Sequence, residues 1–196
     1  MRRRTFDALM VVAGLALAAV LLVAGGLLTW GHNFVNSEVR SQLVAQKIVF
    51  PPASSEAIKS LPKADAQAMS VYGGQIMTTG AQAQTYADHF IGVHLGEIAG
   101  GQTYSQLSAK AMADPKNTKL ADEVATVFKG TTLRGMLLNA YGFWKIGQIA
   151  WIGAIVSFVG AALMLILSLL GAWHLRRVPE TAEVFKKVAH AKVQTA

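Results

Sequence analysis

The sequence predicts an all-α membrane protein: an antiparallel hairpin of two transmembrane helices with a mostly helical extracytoplasmic cap. Two observations lead to this prediction. The stretch from Ile146 to Trp173 runs for 28 residues without a charged residue, a histidine or a proline, and Ala8 to Trp30 is a second uncharged run of 23 residues. At about 1.5 Å per residue, either run crosses a hydrocarbon core of about 30 Å as a helix. A core helix of a soluble protein rarely stays uncharged for so long, because one of its faces meets water.

Composition and charge placement support the same class. Of the 196 residues, 53% are hydrophobic and 15% are charged, against about 25% charged in an average soluble domain. The chain has no cysteine, which excludes disulfides and thiolate metal sites. The net charge is +7. Two clusters of basic residues lie before the first apolar run and after the second, at Arg2, Arg3, Arg4, Arg176, Arg177, Lys186, Lys187 and Lys192. A nucleic-acid-binding protein would concentrate its basic charge on one soluble face, so we expect no nucleic-acid partner.

The charge at the outer ends of the pair predicts the topology. The protein is expected in the plasma (inner) membrane. Because the cytoplasmic flanks of transmembrane helices carry an excess of Lys and Arg, both termini are expected in the cytoplasm. A cleaved signal peptide is the alternative for the first run, but a signal core has about 7–15 residues, and no clear Ala-x-Ala site follows. The predicted divisions are a cytoplasmic N-terminus (1–7), the first transmembrane helix (8–30), an extracytoplasmic helical domain (31–134), the second transmembrane helix with an outer extension (135–175) and a cytoplasmic basic tail (176–196).

Small residues recur at helical spacing in both runs. They are Gly14 and Ala18 in the first run, and Gly153, Ser157 and Ala161 in the second. Small residues four apart let two helix backbones approach closely in lipid. The pattern predicts contact between the two spans or with a partner's helix; the alternative is that glycine and alanine are simply common in such helices.

The first half of the segment between the runs is polar, and its patterns predict several short elements after a continuing helix. Val35, Val39 and Leu43 fall four apart, so the first helix is expected to continue beyond Trp30. The short sequence 47–50 is apolar and β-branched, which predicts a strand without an evident partner. Residues 54–61 are expected to form one or two helical turns, and 64–80 give no clear prediction.

The second half contains three predicted helices. Residues 81–99 have the clearest pattern, with an apolar stripe at Ala83, Ala87, Phe90, Ile91, His94, Leu95 and Ile98 and with Gln82, Gln84, Asp88, His89 and Glu97 on the wetter side. Gly100 and Gly101 are expected to end that helix. Thr103 and Gln106 fit a capping box for a short second helix. The third is predicted over 117–129 with a Lys119–Glu123 pair, and a bend is expected at Gly130.

The basic tail has two open interpretations. Pro179 suits the first turn of a helix, and Val184, Phe185 and Val188 would give it a small apolar face beside lysines. Such a helix would lie on the anionic inner leaflet. The alternative is a solvated terminus.

The histidines His32, His89 and His94 are the first candidates for chemistry. His89 and His94 with Glu97 have the composition of a two-histidine, one-carboxylate iron site. Five residues apart on a helix, however, the two histidines point about 140° apart, and they lack the i, i+4 spacing of a helical metal pair. We expect His94 to be a hydrogen-bonded core residue, with a metal ligand or a pH-responsive contact as alternatives, and His89 to be exposed. No cofactor is predicted.

Other catalytic signatures are missing from the sequence. It contains no G-x-S-x-G, phosphate-binding or dinucleotide-binding motif. Neither apolar run has an ionisable residue in its middle, which disfavours a proton or ion path through the pair.

Three stretches carry a family resemblance: QLVAQKIVFPP (42–52), QAQTYADHFIGVHLGEIAGGQTYSQLS (82–108) and LRGMLLNAYGFWKIGQIA (133–150). Together they resemble a family of uncharacterised two-span membrane proteins of actinobacteria, some of which are automatically labelled aromatic ring-opening dioxygenases. The resemblance covers most of the chain. It implies an actinobacterial plasma membrane with the cap outside, and it assigns no functional residues.

The sequence leads to three functional hypotheses. The leading one is a non-enzymatic accessory or scaffold subunit that binds a partner membrane complex, lipid or further copies of itself through its cap and transmembrane helices. The second is a metal-dependent, non-haem iron oxygenase that uses His89, His94 and a carboxylate. The third is a sensor that relays occupancy of the cap to the cytoplasmic tail.

Overall fold

The computed structural model describes residues 3–177 and Pro179, and this part of the chain is helical without a strand. The elements in chain order are α1 (Arg3–Ala45), α2 (Glu56–Lys59), α3 (Lys63–Ser70), α4 (Gly80–Tyr86), a π-helical turn (Ala87–Ile91), α5 (Gly92–Ile98), α6 (Tyr104–Ala113) and α7 (Thr118–Leu175). The predicted all-α class is therefore confirmed. The predicted apolar face of the tail, at Val184, Phe185 and Val188, lies outside the described residues.

Helices α1 and α7 are both long and apolar enough to cross a membrane. Only 11% of the most apolar window of α1 and 22% of that of α7 is buried inside the protein. The core helix of a soluble protein would be mostly covered by neighbouring elements. Both runs predicted as spans lie within these helices, and the polar residues after Trp30 continue α1 as predicted.

The chain divides into two compact units. The terminal unit contains the residues up to Trp30 and those from Trp151 onward, and the central unit is Gly31–Ala150. Helices α1 and α7 each contribute residues to both units.

Within the terminal unit, glycines mark where the two apolar segments touch. A Cβ on Gly25 would lie 2.8 Å from Cε1 of Phe158, whereas a Cβ on the adjacent Gly26 would meet nothing within 4 Å. Further along, Leu21 lies against Gly160 and Val11 lies against Gly171. Residue numbers at these contacts fall along the first segment as they rise along the second, so the two segments run in opposite directions within this unit.

The main core of the central unit forms around Phe50, which is fully buried. Its ring lies 5.3 Å from that of Tyr72 and meets Tyr86 edge-on at the same centroid distance. Val39 and Leu43 are buried in the same cluster, whereas Val35 packs against it only partly buried. The four-residue spacing of these three side chains thus identified the inward face of this part of α1.

The predicted strand at 47–50 is reduced to a single antiparallel bridge, in which Val49 pairs with Ile76. Phe50 N donates to Gln75 O at 2.9 Å, and Met77 N donates to Ile48 O at 2.9 Å. The predicted strand therefore pairs with residues 75–77, which follow α3 in the chain. One bridge is enough here because Phe50 and Met77, one residue beyond it on either side, are fully buried.

The helix predicted over 81–99 is present, but it is interrupted by the π-helical turn. Its start also corrects one prediction, because Gln82 is 5% exposed and does not lie on the wetter side. Gln82 is the N3 residue of a capping box that begins at Thr79, and its Oε1 accepts from the backbone N–H groups of Thr78 and Thr79. A polar side chain that caps a buried helix start is itself buried.

A smaller core lies where α5, α6 and α7 meet, around Ala99, Leu107 and Val127. The capping box at Thr103 and Gln106 is present as predicted. Gly100 and Gly101 follow α5 with φ angles of 54° and 75°, a backbone region that favours glycine.

Helix α7 runs unbroken from Thr118 to Leu175, so the helix predicted over 117–129 continues through Gly130 into the second apolar run. Gly130 is a close-approach position, since a Cβ there would overlap the Cδ2 of Leu95. Gly80, at the start of α4, is also a close-approach position. A Cβ there would overlap the side chain of Trp144 and lie 3.0 Å from Tyr141 Cα. The helical period alone gives no means of separating a packing glycine from a bending one.

Candidate functional site

The π-helical turn Ala87–Ile91 is held by an arginine from a distant part of the chain. Gly92 N donates to Ala87 O in the wide turn, and Arg134 Nε donates to the same oxygen at 3.1 Å. The arginine comes from α7, 47 residues further along the chain. Single π turns inside α-helices occur frequently at functional sites, which makes this turn the starting point for a site in the central unit.

The same arginine also forms an ion pair. Arg134 Nη2 lies 2.6 Å from Asp88 Oδ1, and the two side chains are 40% and 31% exposed. A Cβ on Gly92 would lie 3.3 Å from Ala87 O and in ordinary contact, at 3.4 Å, with Arg134 Nε. Arg134 therefore bonds to a backbone carbonyl and a carboxylate at once, a forked geometry that lysine cannot reproduce.

A groove of about 570 Å³ opens beside this pair. Gly92 and Gly96 on α5 form part of its wall, and Thr131 on α7 faces it with Arg134 and Asp88. The loop after α5 completes the lining with Gly101, Gln102, Thr103 and Tyr104. The volume lies within the range of about 300–1,000 Å³ typical of ligand pockets.

Gln102 supplies an acceptor to this groove. Its Oε1 is shielded from solvent and receives no hydrogen bond within the described part of the chain. A buried amide oxygen without a donor costs free energy that an incoming N–H or O–H group would recover. Gln102 and the ion pair at the π-helical turn thus line the same groove.

His89 is not simply exposed as predicted. Its Nδ1 lies 2.7 Å from Asp65 Oδ1, so the imidazole donates to a carboxylate of α3. The side chains of His89 and Asp65 are 40% and 23% exposed. This contact joins the π-helical turn to α3 inside the central unit.

The other two histidines point to separate acceptors. His94 Nδ1 donates to Phe90 O at 2.8 Å, and the two rings lie 4.6 Å apart. His94 is partly buried, which agrees with the hydrogen-bonded residue that was expected. His32 Nδ1 donates to Gly147 O at 2.8 Å, and Glu97 lies exposed on α5.

His89, His94 and Glu97 are therefore not brought together as a metal centre. Within residues 3–177 and Pro179, no group of three histidine, aspartate or glutamate side chains is placed to hold a metal ion. The π-helical turn contains His89 and ends before His94, so it alters the 3.6-residue phase from which their divergence was predicted. Their hydrogen bonds still lead to different neighbours.

Tyr86 is the titratable group most affected by its surroundings in the described chain. Burial in the aromatic cluster raises the pKa of the Tyr86 phenol above its ordinary value of 10.0, because the cluster solvates the phenolate poorly. Its ring lies 4.9 Å from that of Phe90. The raised pKa of Tyr86 follows from core packing, and it lies above the pH range in which most cells operate.

The small residues singled out in the two apolar runs lie as follows. Ala18 is fully buried and Ala161 is 1% exposed. A Cβ on Gly14 would overlap Ser168 Oγ, and one on Gly153 would lie 3.2 Å from Leu28 Cδ1. Ser157 is partly exposed.

Sequence reasoning missed the residues that form the groove. Asp88 was placed on the wet side of its helix and Arg134 near the surface, but nothing in the sequence joins residues 46 positions apart. A detectable signal was the glycine spacing of Gly92 and Gly96, which leaves one helix face without side chains.

Comparisons with protein-family models, with curated proteins and with solved structures find no match for this chain. The family resemblance drawn from the three sequence stretches therefore stays a prediction.

Proposed function

We propose that this chain is a non-enzymatic integral membrane protein, an accessory or scaffold subunit that binds a partner membrane protein. The proposal places an antiparallel hairpin of α1 and α7 across the plasma membrane, with both termini in the cytoplasm and the central unit outside. The observation that carries it is the uncovered apolar surface of the two helices. Large apolar side chains are exposed along both, including Val12, Val20, Val23, Leu27, Ile152, Val156, Ile166 and Leu169.

Water is an unfavourable surrounding for such a surface. Burying one large aliphatic side chain is worth about 1.5–3 kcal/mol, and soluble monomers seldom expose continuous apolar patches beyond a few hundred Å². Lipid tails or the helices of another membrane protein would cover these residues. The arginines at both outer ends, Arg3, Arg4, Arg176 and Arg177, support the cytoplasmic placement of that end.

The groove beside Arg134 supports the binding role. It combines the Gln102 oxygen without a donor, the Asp88–Arg134 pair and glycine-lined walls. The two charged side chains of the groove, Asp88 and Arg134, are paired with each other, so we expect the groove to recognise polar groups.

Alkaline carbonate washing of native membranes tests the membrane placement. We expect the chain to remain with the membranes, since two apolar spans resist extraction. Release into the wash would contradict the proposal. Access of a membrane-impermeant label to a cysteine introduced at Met112, which is 75% exposed in the central unit, tests the orientation in intact cells.

Site-specific photo-crosslinking tests the partner-binding role. A photoreactive residue at Thr131, in the groove, should give a discrete adduct of higher mass in native membranes. The same residue at Met112, away from the groove, is the matched control and should give none. Equal crosslinking at both positions, or none at Thr131 in intact membranes, would argue against a dedicated binding groove.

A further inference from the structure

A second cavity, of about 460 Å³, lies within the terminal unit near the ends of the two apolar segments. Most of its wall is apolar and includes Met10, Leu17, Met164 and Leu167. Three side chains contribute polar groups: Asp7, Ser168 and His174. Two of the three lie just beyond the apolar runs, because Asp7 precedes the first run and His174 follows the second.

Asp7 is the residue that needs an explanation. It is the only carboxylate among the described residues of the terminal unit. Its Oδ2 is shielded from solvent and receives no hydrogen bond within the described chain. A carboxylate oxygen that is shielded from water and has no donor is unfavourable unless a cation or an N–H group compensates it.

From the charge pattern around this cavity we infer that it binds a phospholipid whose head group ends in a primary ammonium, with phosphatidylethanolamine as the type. The ammonium would donate to the Asp7 carboxylate. The phosphate would lie toward the arginines at this end, of which Arg3 and Arg176 are exposed. An acyl chain would follow the apolar wall past Leu17 and Met164.

The alternatives fit this arrangement less well. An anionic lipid suits the arginines but brings its negative head group to the Asp7 carboxylate, one oxygen of which has no donor. A choline head group carries the positive charge but has no N–H to donate. The ethanolamine head group supplies both the charge and the donors, and its phosphate matches the surrounding positive charge. The inference rests on the proposed membrane placement of the two segments.

Native mass spectrometry of the full chain in mild detergent tests the inference, with phospholipids that share acyl chains and differ only in head group. Hydrogen bonds to charged groups contribute enough that phosphatidylethanolamine should bind roughly tenfold more tightly than phosphatidylcholine. Stepwise N-methylation of the ethanolamine head group should weaken binding at each step, because each methyl removes a donor and keeps the charge. Equal binding across the methylation series, or tighter binding of phosphatidylglycerol, would overturn the inference.

The Asp7→Asn variant localises the site. It keeps the shape of the side chain and removes its charge, and we expect it to lose the preference for phosphatidylethanolamine. Asp65→Asn, in the central unit, is the matched control and should keep the preference. Retention of the preference by Asp7→Asn would overturn the assignment to this cavity. The methylation series on the unsubstituted chain decides the matter if Asp7→Asn fails to fold.

The carbonate wash separates this inference from the proposed function. A chain that leaves the membrane on washing would contradict the membrane placement. A chain that stays in the membrane but shows no head-group preference would contradict the lipid site alone.

Discussion

At the scale of single residues, Arg134 has the most connected side chain of the central unit's candidate site. It bonds to Ala87 O and to Asp88 Oδ1, and so ties α7 to the π-helical turn. The pair is partly exposed, which moderates its energy relative to a fully buried one. The second contact of Arg134, to Ala87 O, adds a hydrogen bond to a carbonyl that already accepts from Gly92 N.

Substituting Arg134 should destabilise the central unit measurably. We expect Arg134→Ala to lower the free energy of unfolding by about 1–2 kcal/mol, with Arg134→Lys in between, since lysine keeps the charge but not the fork. Denaturation of the detergent-solubilised chain, followed by near-ultraviolet circular dichroism, measures this. Lys59→Ala breaks the more exposed Lys59–Glu56 pair and should cost less than about 0.5 kcal/mol. Equal effects of the two substitutions would show that the second contact of Arg134 has no value.

Tyr86 predicts a pH dependence at the alkaline end. Because burial raises the pKa of Tyr86 above 10.0, folding favours the protonated phenol. The corresponding stability is fully present below about pH 10 and is lost as pH rises through the higher pKa of the folded state. The unfolding temperature should therefore fall less steeply above that pH in Tyr86→Phe than in the unsubstituted chain. Tyr104→Phe removes an exposed phenol and serves as the control; an unchanged slope in Tyr86→Phe would refute the burial effect.

At the scale of helices, two capping boxes of the same kind stand in different surroundings. Thr79 and Gln82 begin α4 in the core of the central unit, and Thr103 and Gln106 begin α6 at the surface. Gln82 is 5% exposed and also donates to Gln75 Oε1 at 3.2 Å, whereas Gln106 is exposed. The sequence predicted the exposed box and placed the buried one on the wrong face.

This contrast predicts unequal effects from one substitution. Gln82→Ala should cost about 2–3 kcal/mol of stability, because it leaves the Thr78 and Thr79 N–H groups without their acceptor in the core. Gln106→Ala should cost about 1 kcal/mol or less, since water replaces the lost bond to Thr103 N. The two variants are compared by thermal unfolding of the solubilised chain. A larger loss in Gln106→Ala would contradict the role given to burial.

At the scale of the whole molecule, the antiparallel course of the two apolar segments is the feature from which the proposed membrane hairpin follows. Their contact is close where side chains are small. A Cβ on Gly14 would lie 3.6 Å from the Cβ of Ser168, within the range of about 3.5–4.5 Å that a disulfide requires.

The chain contains no cysteine, so a designed pair gives a clean test of the hairpin. Gly14→Cys with Ser168→Cys should form an intramolecular disulfide on mild oxidation in native membranes, seen as loss of thiol labelling at monomer mass. Gly26→Cys with Ser168→Cys is the matched control and should stay reduced, because a Cβ on Gly26 would meet no atom of a neighbouring segment within 4 Å. A first pair that remains fully labelled, or that crosslinks only between chains, would contradict the hairpin.

What the sequence determined by itself is the class of structure: a helical chain with two long apolar runs, and the inward faces at Val39 and Leu43. These follow from length and periodicity, which are local properties of the chain. The tertiary structure alone decided that Gly130 is a packing position, that Gln82 is buried, that Val49 pairs with Ile76, and that Arg134 reaches Asp88. Each depends on tertiary contacts, and the pattern of residues along the sequence does not specify which residues come into contact.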